Sequence, residues 1–380
     1  MKLKISLKNF KKIKNIANIS ISNYWFRRES EGVLIICENK YLSVYASDSL
    51  MNVKFRIPED KDSLQIIQEG KIFIDAKILI NLIEHLTDDY VEIFKTESDN
   101  FQLNCGSYNC SLSSYNQPNF KFEDFDTTNY QKIDFEKSFL KEIYLRFKDF
   151  VKQNNENYTS NVNNSIIAIN FKNVDKQLKI LSTDAYSVVY GCFAHDSLDF
   201  EFNIIPSVIN KILRLVNENE QIIEFYLNKN NLIIKKDDVC IKSRLIDETY
   251  PSIIHWFEKE YDRKIVVNKN NLIDAIDRSS LLSDSLPKII CCEIAGNKLI
   301  IENKGSQRGS SKEEIIVKNI TKKNISISFD SQKLKALLRN IDSESVILAL
   351  TEPTQPTIIK PLNTDCPYQE IILPTRNHHQ

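Results

Sequence analysis

Glycine is scarce in this chain, which has only seven glycines among its 380 residues. A phosphate-binding loop needs glycines so that backbone N–H groups can approach the phosphate. The one close glycine pair, in KGSQRGSSK (304–312), lacks the G-K-[ST] ending of such a loop. The sequence therefore excludes nucleotide cradles of the Walker and dinucleotide-binding types.

Catalytic and metal-binding signatures are missing too. The sequence has no GxSxG, no HExxH and no CxxC, and Asp184 in STDAY has no carboxylate partner nearby in the chain. The eight cysteines lie mostly in apolar runs and the five histidines are scattered. We interpret the cysteines as small buried apolar residues rather than as zinc ligands or disulfides. We expect no active site, no metal and no other cofactor.

Long apolar runs are absent, and so is a strong net charge. No run approaches the ~20 residues that cross a bilayer, and the N-terminal MKLKISLKNFKKIKN is basic and patterned, unlike a signal peptide. We therefore expect no membrane partner and a cytoplasmic location. The formal net charge is −1, so any contact with nucleic acid must depend on local charge rather than on bulk attraction.

One pattern is present three times: a short strand, a helix-starting residue, an amphipathic helix and two alternating strands. The helix-starting residues are Asp75, Pro206 and Asp330, which lie 131 and 124 residues apart. These separations are too long for a solenoid repeat and match the size of a whole domain. The sequence predicts an α+β protein of three similar domains at 1–126, 127–253 and 254–380, each with two helices packed on antiparallel sheets.

Several predicted helices carry basic residues opposite their apolar face. The helix from Leu7 to Asn18 contains no acidic residue, and the helix from Phe135 to about Gln153 repeats the bias. Basic pairs recur in the later helices at helical spacing. A solvated helix face explains this pattern without a ligand; the functional alternative is a set of phosphate contacts formed by Lys8, Lys12, Lys137, Lys141, Lys148, Lys152, Lys211, Arg214, Lys335 and Arg339.

Five short segments then follow in order: LKILSTDAYSVVY, IIPSVINKIL, SRLIDETYPSI, RSSLLSD and ILPTR. They resemble the TDGHR, IIP, SRLxDxxFPDY, RxxLLS and MPxR patterns of the DNA polymerase III beta subunits, the bacterial sliding clamps. The resemblance covers essentially the whole chain. It implies the DNA clamp fold and a non-catalytic processivity factor, whose head-to-tail homodimer closes six domains into a ring around duplex DNA without sequence preference.

The resemblance also implies partners and their contact residues. The partners are a clamp loader, the replicative polymerase and other proteins with clamp-binding peptides. Arg27 and Arg28 join the DNA contacts, and Leu281 and Leu282 face Cys110 and Leu112 of the neighbouring subunit, although interior packing explains Leu281 equally well. The hydrophobic peptide groove comprises Ile166, Thr183, Ala185, Tyr186, Ser187, Val188, Pro251, His255, Ile371, Ile372, Leu373, Pro374, Thr375 and Arg376.

The sequence departs from the family pattern at the groove. Ala185, Tyr186 and Ser187 replace the glycine, histidine and arginine of TDGHR, which predicts a narrower and less basic groove. Two other functions stay open. A protein-interaction scaffold that does not encircle DNA would use the same groove, and a nuclease would need clustered carboxylates, which the sequence lacks.

Overall fold

The computed structural model describes residues 1–20, 32–48, 50–96, 100–112, 125–152, 164–216, 219–236, 238–283, 286–306, 309–363 and 365–375. The chain forms two compact units. Unit 1 comprises Met1–Tyr144 and Ser207–Leu245, and unit 2 comprises Leu145–Pro206 and Ile246–Gln380. Each unit combines part of the middle third of the chain with one outer third. The division into three domains stays a prediction.

The described residues contain seven α-helices and one short 3-10 helix, Asn164–Ile167. The α-helices are α1 (Leu7–Ser20), α2 (Ala76–His85), α3 (Lys137–Phe147), α4 (Pro206–Leu215), α5 (His255–Glu258), α6 (Lys269–Ser280) and α7 (Ser331–Asn340). Three of them begin where the sequence repeat predicts. The Asp75 carboxylate accepts from Ile78 N–H at 2.9 Å, the Asp330 carboxylate accepts from Gln332 N–H at 2.9 Å, and Pro206 is the first residue of α4. Each residue suits the first turn, where backbone N–H groups lack helical partners.

The strands of the first half of the chain are β1 (Lys2–Ser6), β2 (Gly32–Glu38), β3 (Tyr41–Ser47), β4 (Met51–Pro58), β5 (Leu64–Gln68), β6 (Gly70–Asp75), β7 (Tyr90–Lys95), β8 (Phe101–Cys105), β9 (Tyr108–Leu112), β10 (Gln131–Glu136), β11 (Ile169–Val174), β12 (Gln177–Thr183) and β13 (Ser187–Ala194). Those of the second half are β14 (Phe200–Ile204), β15 (Ile222–Leu227), β16 (Asn231–Lys235), β17 (Val239–Arg244), β18 (Arg263–Asn268), β19 (Ile289–Ala295), β20 (Lys298–Ser306), β21 (Gly309–Ile316), β22 (Lys318–Asn319), β23 (Ile325–Asp330), β24 (Ser345–Leu350), β25 (Thr357–Pro361) and β26 (Tyr368–Ile372).

The predicted helix from Phe135 to Gln153 is too long at both ends. Phe135 and Glu136 lie in β10, where they pair with Ile223 and Ile222 of β15. The Phe135 side chain is 2% exposed, so its burial in the sheet outweighs the helical spacing of the aromatic residues that follow it. Helix α3 ends at Phe147, and Gln153 lies outside the described residues.

Each unit contains two antiparallel sheets. Unit 1 has a five-stranded sheet, β5-β1-β7-β8-β9, and an eight-stranded sheet, β10-β15-β16-β17-β4-β3-β2-β6. Unit 2 has a nine-stranded sheet, β14-β11-β12-β13-β26-β25-β24-β18-β22, and a four-stranded sheet, β21-β20-β19-β23. Each large sheet contains one junction at which two strands from different thirds of the chain pair. In the eight-stranded sheet β4 pairs with β17, and in the nine-stranded sheet β13 pairs with β26. Strands from different thirds of the chain therefore form continuous sheets.

Apolar helix faces form the cores against these sheets. In unit 1, Phe10 and Ile13 of α1 and Leu79 and Ile83 of α2 are fully buried. In unit 2, Leu337 and Leu338 of α7 are likewise fully buried. Burying a side chain of this size stabilises the fold by about 1.5–3 kcal/mol, so the apolar stripe of each helix fixes which face remains for function.

Candidate functional site

Helix α1 presents an exposed basic face. Its apolar stripe is buried, whereas Lys8, Lys11 and Lys12 are exposed. Lys14, the remaining lysine of the helix, pairs with Glu84 at 2.5 Å. Two of the predicted DNA contacts, Lys8 and Lys12, are thus available to solvent, and Lys11 extends the same cationic face.

The second predicted basic helix is less regular. Lys141 is exposed on α3, and the ammonium of Lys137 donates to the Val216 carbonyl at 2.9 Å. Lys148 and Lys152 follow the end of the helix, so they do not extend its lysine face as the sequence predicted. Lys148 forms an ion pair with the neighbouring Asp149 at 2.6 Å.

Several predicted DNA-contact residues of α4 and α7 lie beside acidic side chains. In unit 1, Lys211 of α4 pairs with Asp48, whose side chain is 8% exposed. In unit 2, Lys335 of α7 pairs with Asp277, and Arg339 lies 3.9 Å from the same carboxylate. These ion pairs tie turns and helices together and leave less positive charge for a ligand. Arg214 is exposed, and Arg27 and Arg28 lie outside the described residues.

A tight turn between β12 and β13 forms one side of the predicted peptide groove. The Thr183 hydroxyl donates to the Ser187 carbonyl at 2.7 Å and accepts from Ala185 N–H at 3.1 Å. Ala185 has φ +76°, in the left-handed region where glycine is unstrained. The turn thus requires the backbone conformation that the family's glycine adopts easily, and an alanine adopts it here.

The carboxylate of Asp184 holds this turn. It accepts from the N–H of Tyr186 at 2.9 Å, from the N–H of Ser187 at 2.7 Å and from the Ser187 hydroxyl at 2.8 Å, all through Oδ1. Its other oxygen, Oδ2, pairs with the Lys333 ammonium of α7. Burial raises the pKa of Asp184, but the bond to Lys333 and the two backbone N–H groups outweigh it and hold the pKa below its ordinary value.

The turn abuts the last strand of the chain. Ser187 and Val188 pair with Ile372 and Ile371 of β26, and Leu373 N–H donates to the Tyr186 carbonyl at 2.8 Å. The Tyr186 side chain is 58% exposed. The two predicted halves of the groove are therefore adjacent.

The fourteen predicted groove residues divide by exposure. Those at the surface are Ala185, Tyr186, His255 and Leu373; those partly exposed are Pro251, Pro374 and Thr375; those buried are Ile166, Thr183, Ser187, Val188, Ile371 and Ile372. Arg376 lies outside the described residues. Val188 and Ile371 belong to an apolar cluster with Tyr190, Tyr250 and Tyr261, against which Trp256 and Phe257 pack, partly buried. The buried members support the apolar surface that the exposed members present.

Sequence reasoning missed Lys333 at this site. Its ammonium contacts Asp184 and lies 5.0 Å from the centre of the Tyr186 ring. Lys333 is 149 residues from Asp184 in sequence, and the motif that identifies the turn contains no signal for a residue on a distant helix. Only the folded arrangement of unit 2 brings this cation to the groove.

Two of the predicted dimer residues lie on the last strand of a sheet, and the other two follow a helix. Cys110 and Leu112 belong to β9, which ends the five-stranded sheet of unit 1 among the described residues. Leu281 and Leu282 follow α6 directly, and Leu281 is 69% exposed. A Cβ placed on Gly309 of β21 would lie 3.9 Å from Leu282, so this leucine packs at the end of the four-stranded sheet. The exposure of Leu281 shows that it does not serve interior packing within its own subunit.

A surface hollow of about 440 Å³ adjoins β9. It is lined by Ile78, Asn81, Leu82, His85, Leu86 and Tyr108. Ile78 is 39% exposed and Tyr108 is 46% exposed. The hollow offers apolar side chains beside β9, the last strand of its sheet among the described residues.

The part of the chain that the structure describes contains no group of three or more His, Cys, Asp or Glu side chains that could hold a metal ion. All eight cysteines are free thiols. Within the same residues, no helix has the length and apolar character needed to cross a membrane.

Comparison with known proteins gives consistent matches. The family model for the N-terminal domain of the DNA polymerase III beta subunit matches residues 9–130 of this chain. The family model for the C-terminal domain of the same subunit matches residues 255–376. A beta sliding clamp of Staphylococcus epidermidis is 22% identical over 353 residues, covering 91% of this chain and 92% of the relative. One from Mycoplasma genitalium is 24% identical over 365 residues, with the same shares covered.

Solved structures show the same fold. The beta chain of DNA polymerase III from Streptococcus pneumoniae superposes with a TM-score of 0.88 at 20% identity, covering 99% of this chain and all of that one. The DNA polymerase sliding clamp from Bacillus subtilis gives a TM-score of 0.86 at 19% identity, with both chains covered completely.

Proposed function

Because the chain belongs to the DNA polymerase III beta subunit family, the sliding clamps, which are non-catalytic processivity factors, we propose that two copies close head to tail into a ring that encircles duplex DNA. The family's partners are DNA, a DNA polymerase and further copies of the clamp itself. The finer proposals concern which surfaces of this chain make each contact.

The observation that carries the ring is a repeated sheet junction. In unit 1, the four strands β6-β2-β3-β4 join the four strands β17-β16-β15-β10, and the junction is the pairing of β4 with β17. In unit 2, the four strands β14-β11-β12-β13 join β26-β25-β24-β18 in the same way, and the junction is the pairing of β13 with β26. The four-stranded β23-β19-β20-β21 repeats the first half of this arrangement, and β1-β7-β8-β9 repeats the second half. Pairing β21 of one copy with β9 of another would make a third equivalent sheet.

The predicted leucines suit this junction. Leu282 lies beside the start of β21, Leu281 precedes it directly in the chain, and Cys110 and Leu112 lie on β9. The hollow lined by Ile78 and Tyr108 adjoins β9. We propose that Leu281 of one copy packs against this apolar surface of the other. The contact removes two exposed apolar patches from water and covers β9 and β21, each the terminal strand of its sheet among the described residues.

Among the first helices of the three predicted domains, positive charge is concentrated on α1 and α3; of the second helices, α7 has three basic residues and no acidic one. Helix α1 contains four lysines and no acidic residue, and α3 has three basic residues and one acidic. Helix α6 carries two basic and two acidic residues and so has no net charge. We propose that DNA phosphates are contacted mainly through α1 and the start of α3, with Lys335, Arg339 and Lys211 contributing less because each lies beside a carboxylate.

Replacing Lys8, Lys11 and Lys12 together by glutamine is expected to weaken binding to a short linear duplex and to flatten its salt dependence. Each phosphate contact contributes about 0.9 to the slope of log affinity against log salt, so loss of three contacts lowers the slope by roughly 2 to 3. A salt titration of duplex binding measures this. The matched control replaces three exposed lysines that lie outside the helices, Lys61, Lys71 and Lys318, and is expected to keep the slope. Equal slopes for both triple variants would contradict the proposed contacts.

The groove beside the β12–β13 turn is proposed to bind short hydrophobic peptides of the clamp loader, the replicative polymerase and other partners. Its exposed Tyr186 and Leu373 lie above a buried apolar cluster, an arrangement that suits peptides with leucine or phenylalanine anchors. We also propose a cytoplasmic location, which the eight free thiols support.

Retention on circular DNA tests the encircling function. After loading by a clamp loader, the protein is expected to stay on a closed circle and to be lost when the circle is cut, because a ring slides off an end. Equal retention on both forms at moderate salt would overturn the topological mechanism. A non-encircling scaffold would then be favoured, and it would still bind peptides.

A further inference from the structure

Four neighbouring strands of unit 1 carry basic residues and no acidic one. Strands β3, β4, β17 and β16 lie side by side in the eight-stranded sheet. Their sequences, YLSVYAS, MNVKFRIP, VCIKSR and NLIIK, contain no aspartate or glutamate. Their five basic residues are Lys54, Arg56, Lys235, Lys242 and Arg244. A surface that serves solubility alone mixes charges of both signs, so this bias needs another explanation.

The five basic side chains lie on one face of the sheet. On β4 and β17 buried residues alternate with accessible ones, and the basic residues occupy the accessible positions. Lys54 pairs with Cys240, and Cys240 pairs with Lys235; residues directly opposite each other share a face. Helix α1 packs its apolar stripe on β3 and β4 and so covers the buried face. The basic residues of the sheet therefore point away from the lysines of α1.

Four of these residues form a row along the junction between β4 and β17. Arg56 and Lys54 are two residues apart on β4, and Lys242 and Arg244 are two residues apart on β17. Because Lys54 pairs with Cys240, Lys242 is the next residue along on the same face. The four cations, here called the basic ladder, thus follow one another in steps of about 7 Å over about 20 Å. Successive phosphates of an extended nucleic-acid strand are spaced similarly.

Tyrosine rings position two cations of the basic ladder. The Lys54 ammonium lies 5.2 Å from the centre of the Tyr45 ring, and the Arg56 guanidinium carbon lies 5.8 Å from that of Tyr41. Tyr45 is 9% exposed and Tyr41 is 43% exposed. In the part of the chain that the structure describes, Lys54 and Arg56 contact these rings rather than carboxylates. Tyr41 therefore offers a ring to a ligand beside an uncompensated charge.

The cations crowd one another around Cys240. Burial raises the pKa of the Cys240 thiol, while Lys235, Lys54 and Arg56 act in the opposite direction, so three positive charges lie near one sulfur atom. Like charges on adjoining strands destabilise a sheet. An anionic ligand bound here would relieve this repulsion.

Two acidic residues border one end of the basic ladder. Glu38 pairs with Tyr41, and Asp238 precedes β17, where its carbonyl accepts from Arg56 N–H at 2.8 Å. Among the described residues neither carboxylate forms an ion pair with Arg56. The ladder therefore keeps an excess of positive charge.

The equivalent strands of unit 2 have no such ladder. Strands β12, β13, β26 and β25 lie side by side in the same arrangement. Their only basic residues are Lys179 and Lys360, and their one acidic residue is Glu370. The fold does not require the charge, so the basic ladder is a property of this part of the sequence.

We propose that the basic ladder binds single-stranded DNA, with phosphates at the four cations and a base stacked on Tyr41. The exposed ring favours a single strand, because the bases of a duplex are already stacked on one another and cannot reach a side chain on a sheet. The inference goes beyond the proposed function and rests on it only for the choice of DNA over RNA. A clamp that tethers a polymerase works beside single-stranded template.

Fluorescence anisotropy of a labelled oligothymidylate of about 12 nucleotides, a usual site size for single-strand binders, tests this on the full-length protein. Replacing Lys54, Arg56 and Arg244 together by glutamine is expected to weaken binding at least about tenfold at about 0.05 M salt. The slope of log affinity against log salt is expected to fall by roughly 2, since each phosphate contact of a single strand contributes about 0.7. Tyr41→Ala is expected to weaken binding about fivefold or more through the lost stacking, whereas Tyr41→Phe keeps the affinity.

The matched control replaces three exposed lysines of unit 2 by glutamine, Lys176, Lys318 and Lys322. It is expected to bind the strand within about twofold of the unchanged protein. Thermal unfolding of the ladder variant is expected to occur at the same temperature or higher, because the substitutions remove repulsion between neighbouring strands. Loss of binding is then not loss of folding.

The outcomes separate this site from the proposed ring. Equal binding by the ladder variant and the unchanged protein overturns the inference, and so does an equal loss when Lys8, Lys11 and Lys12 are replaced, which would place the strand on α1. A duplex of the same length, an oligouridylate or a polyglutamate peptide that binds the ladder as tightly as oligothymidylate would overturn the assignment to single-stranded DNA. Retention on circular DNA tests the ring independently of all these results.

Discussion

Replacing Leu281 by aspartate is expected to convert the protein into a monomer of about 44.2 kDa that is not retained on circular DNA. The side chain is 69% exposed in the isolated chain, so the substitution leaves folding intact. In the proposed dimer it would remove a buried leucine, which contributes about 1.5–3 kcal/mol, and place a charge in an apolar contact at a further cost of a few kcal/mol. Together these changes weaken dimerisation by at least about a hundredfold.

Light scattering across a concentration series measures the dimer, and loading onto circular DNA measures retention. Leu198→Asp is a suitable control, because Leu198 is 77% exposed in the same unit and lies in no proposed contact. The control is expected to remain dimeric. If Leu281→Asp dimerises at the same concentrations as the unchanged protein, the junction between β21 and β9 is not where the ring closes.

Local features of the fold were predictable from the sequence. Asp75, Pro206 and Asp330 begin helices because their side chains or fixed φ satisfy the first turn, which depends only on neighbouring residues. The buried face of α1 follows from apolar residues at helical spacing in the same way. The α+β fold was predicted correctly from the repeated pattern of strands and helices, and the clamp family from that pattern together with five short segments in order.

Errors arose where tertiary contacts outweigh local patterns. The aromatic residues from Phe135 onward repeat at helical spacing. Phe135 nevertheless lies in strand β10, because β10 pairs with β15, almost ninety residues later in the chain. Strand pairing at this distance leaves no periodic trace in a single segment.

Contacts between residues equally far apart in the sequence also decide how much positive charge the predicted DNA-contact residues present. Lys211 and Asp48 are 163 residues apart in sequence, and Lys335 and Asp277 are 58 apart. A sequence shows that these lysines lie on a helix but not that a turn from elsewhere reaches them. For the same reason, Lys333 enters the groove only once unit 2 has folded.

Glu370 offers a test of the buried electrostatics beneath the groove. It lies in β26 next to Ile371 and is 1% exposed. One oxygen, Oε1, accepts from the Asn340 side-chain amide at 2.7 Å, and Oε2 is buried without a hydrogen-bond partner among the described residues. Burial raises the pKa of this carboxyl well above its ordinary value of 4.5, although Asn340 and the Arg146 guanidinium oppose the shift.

A raised pKa in the folded state fixes the sign of the pH dependence. Above the ordinary value of 4.5, the unfolded chain loses the Glu370 proton while the native chain keeps it, so the native state binds more protons. The contribution of this group to stability is therefore complete below that pH and is lost as the pH rises toward the folded-state pKa.

Glu370→Gln is expected to stabilise unit 2 at alkaline pH and to have little effect in acid. Glutamine keeps the oxygen that accepts from Asn340 and has no charge to bury, so it removes the pH-dependent loss, a gain of about 1–3 kcal/mol. Urea unfolding followed by Trp256 fluorescence in a Trp25→Phe background measures this across pH, because Trp256 is then the sole tryptophan. Glu293→Gln, an exposed strand position of the same unit, is expected to shift nothing. Parallel pH profiles for Glu370→Gln and the unchanged protein would show that Glu370 is charged and compensated in the fold.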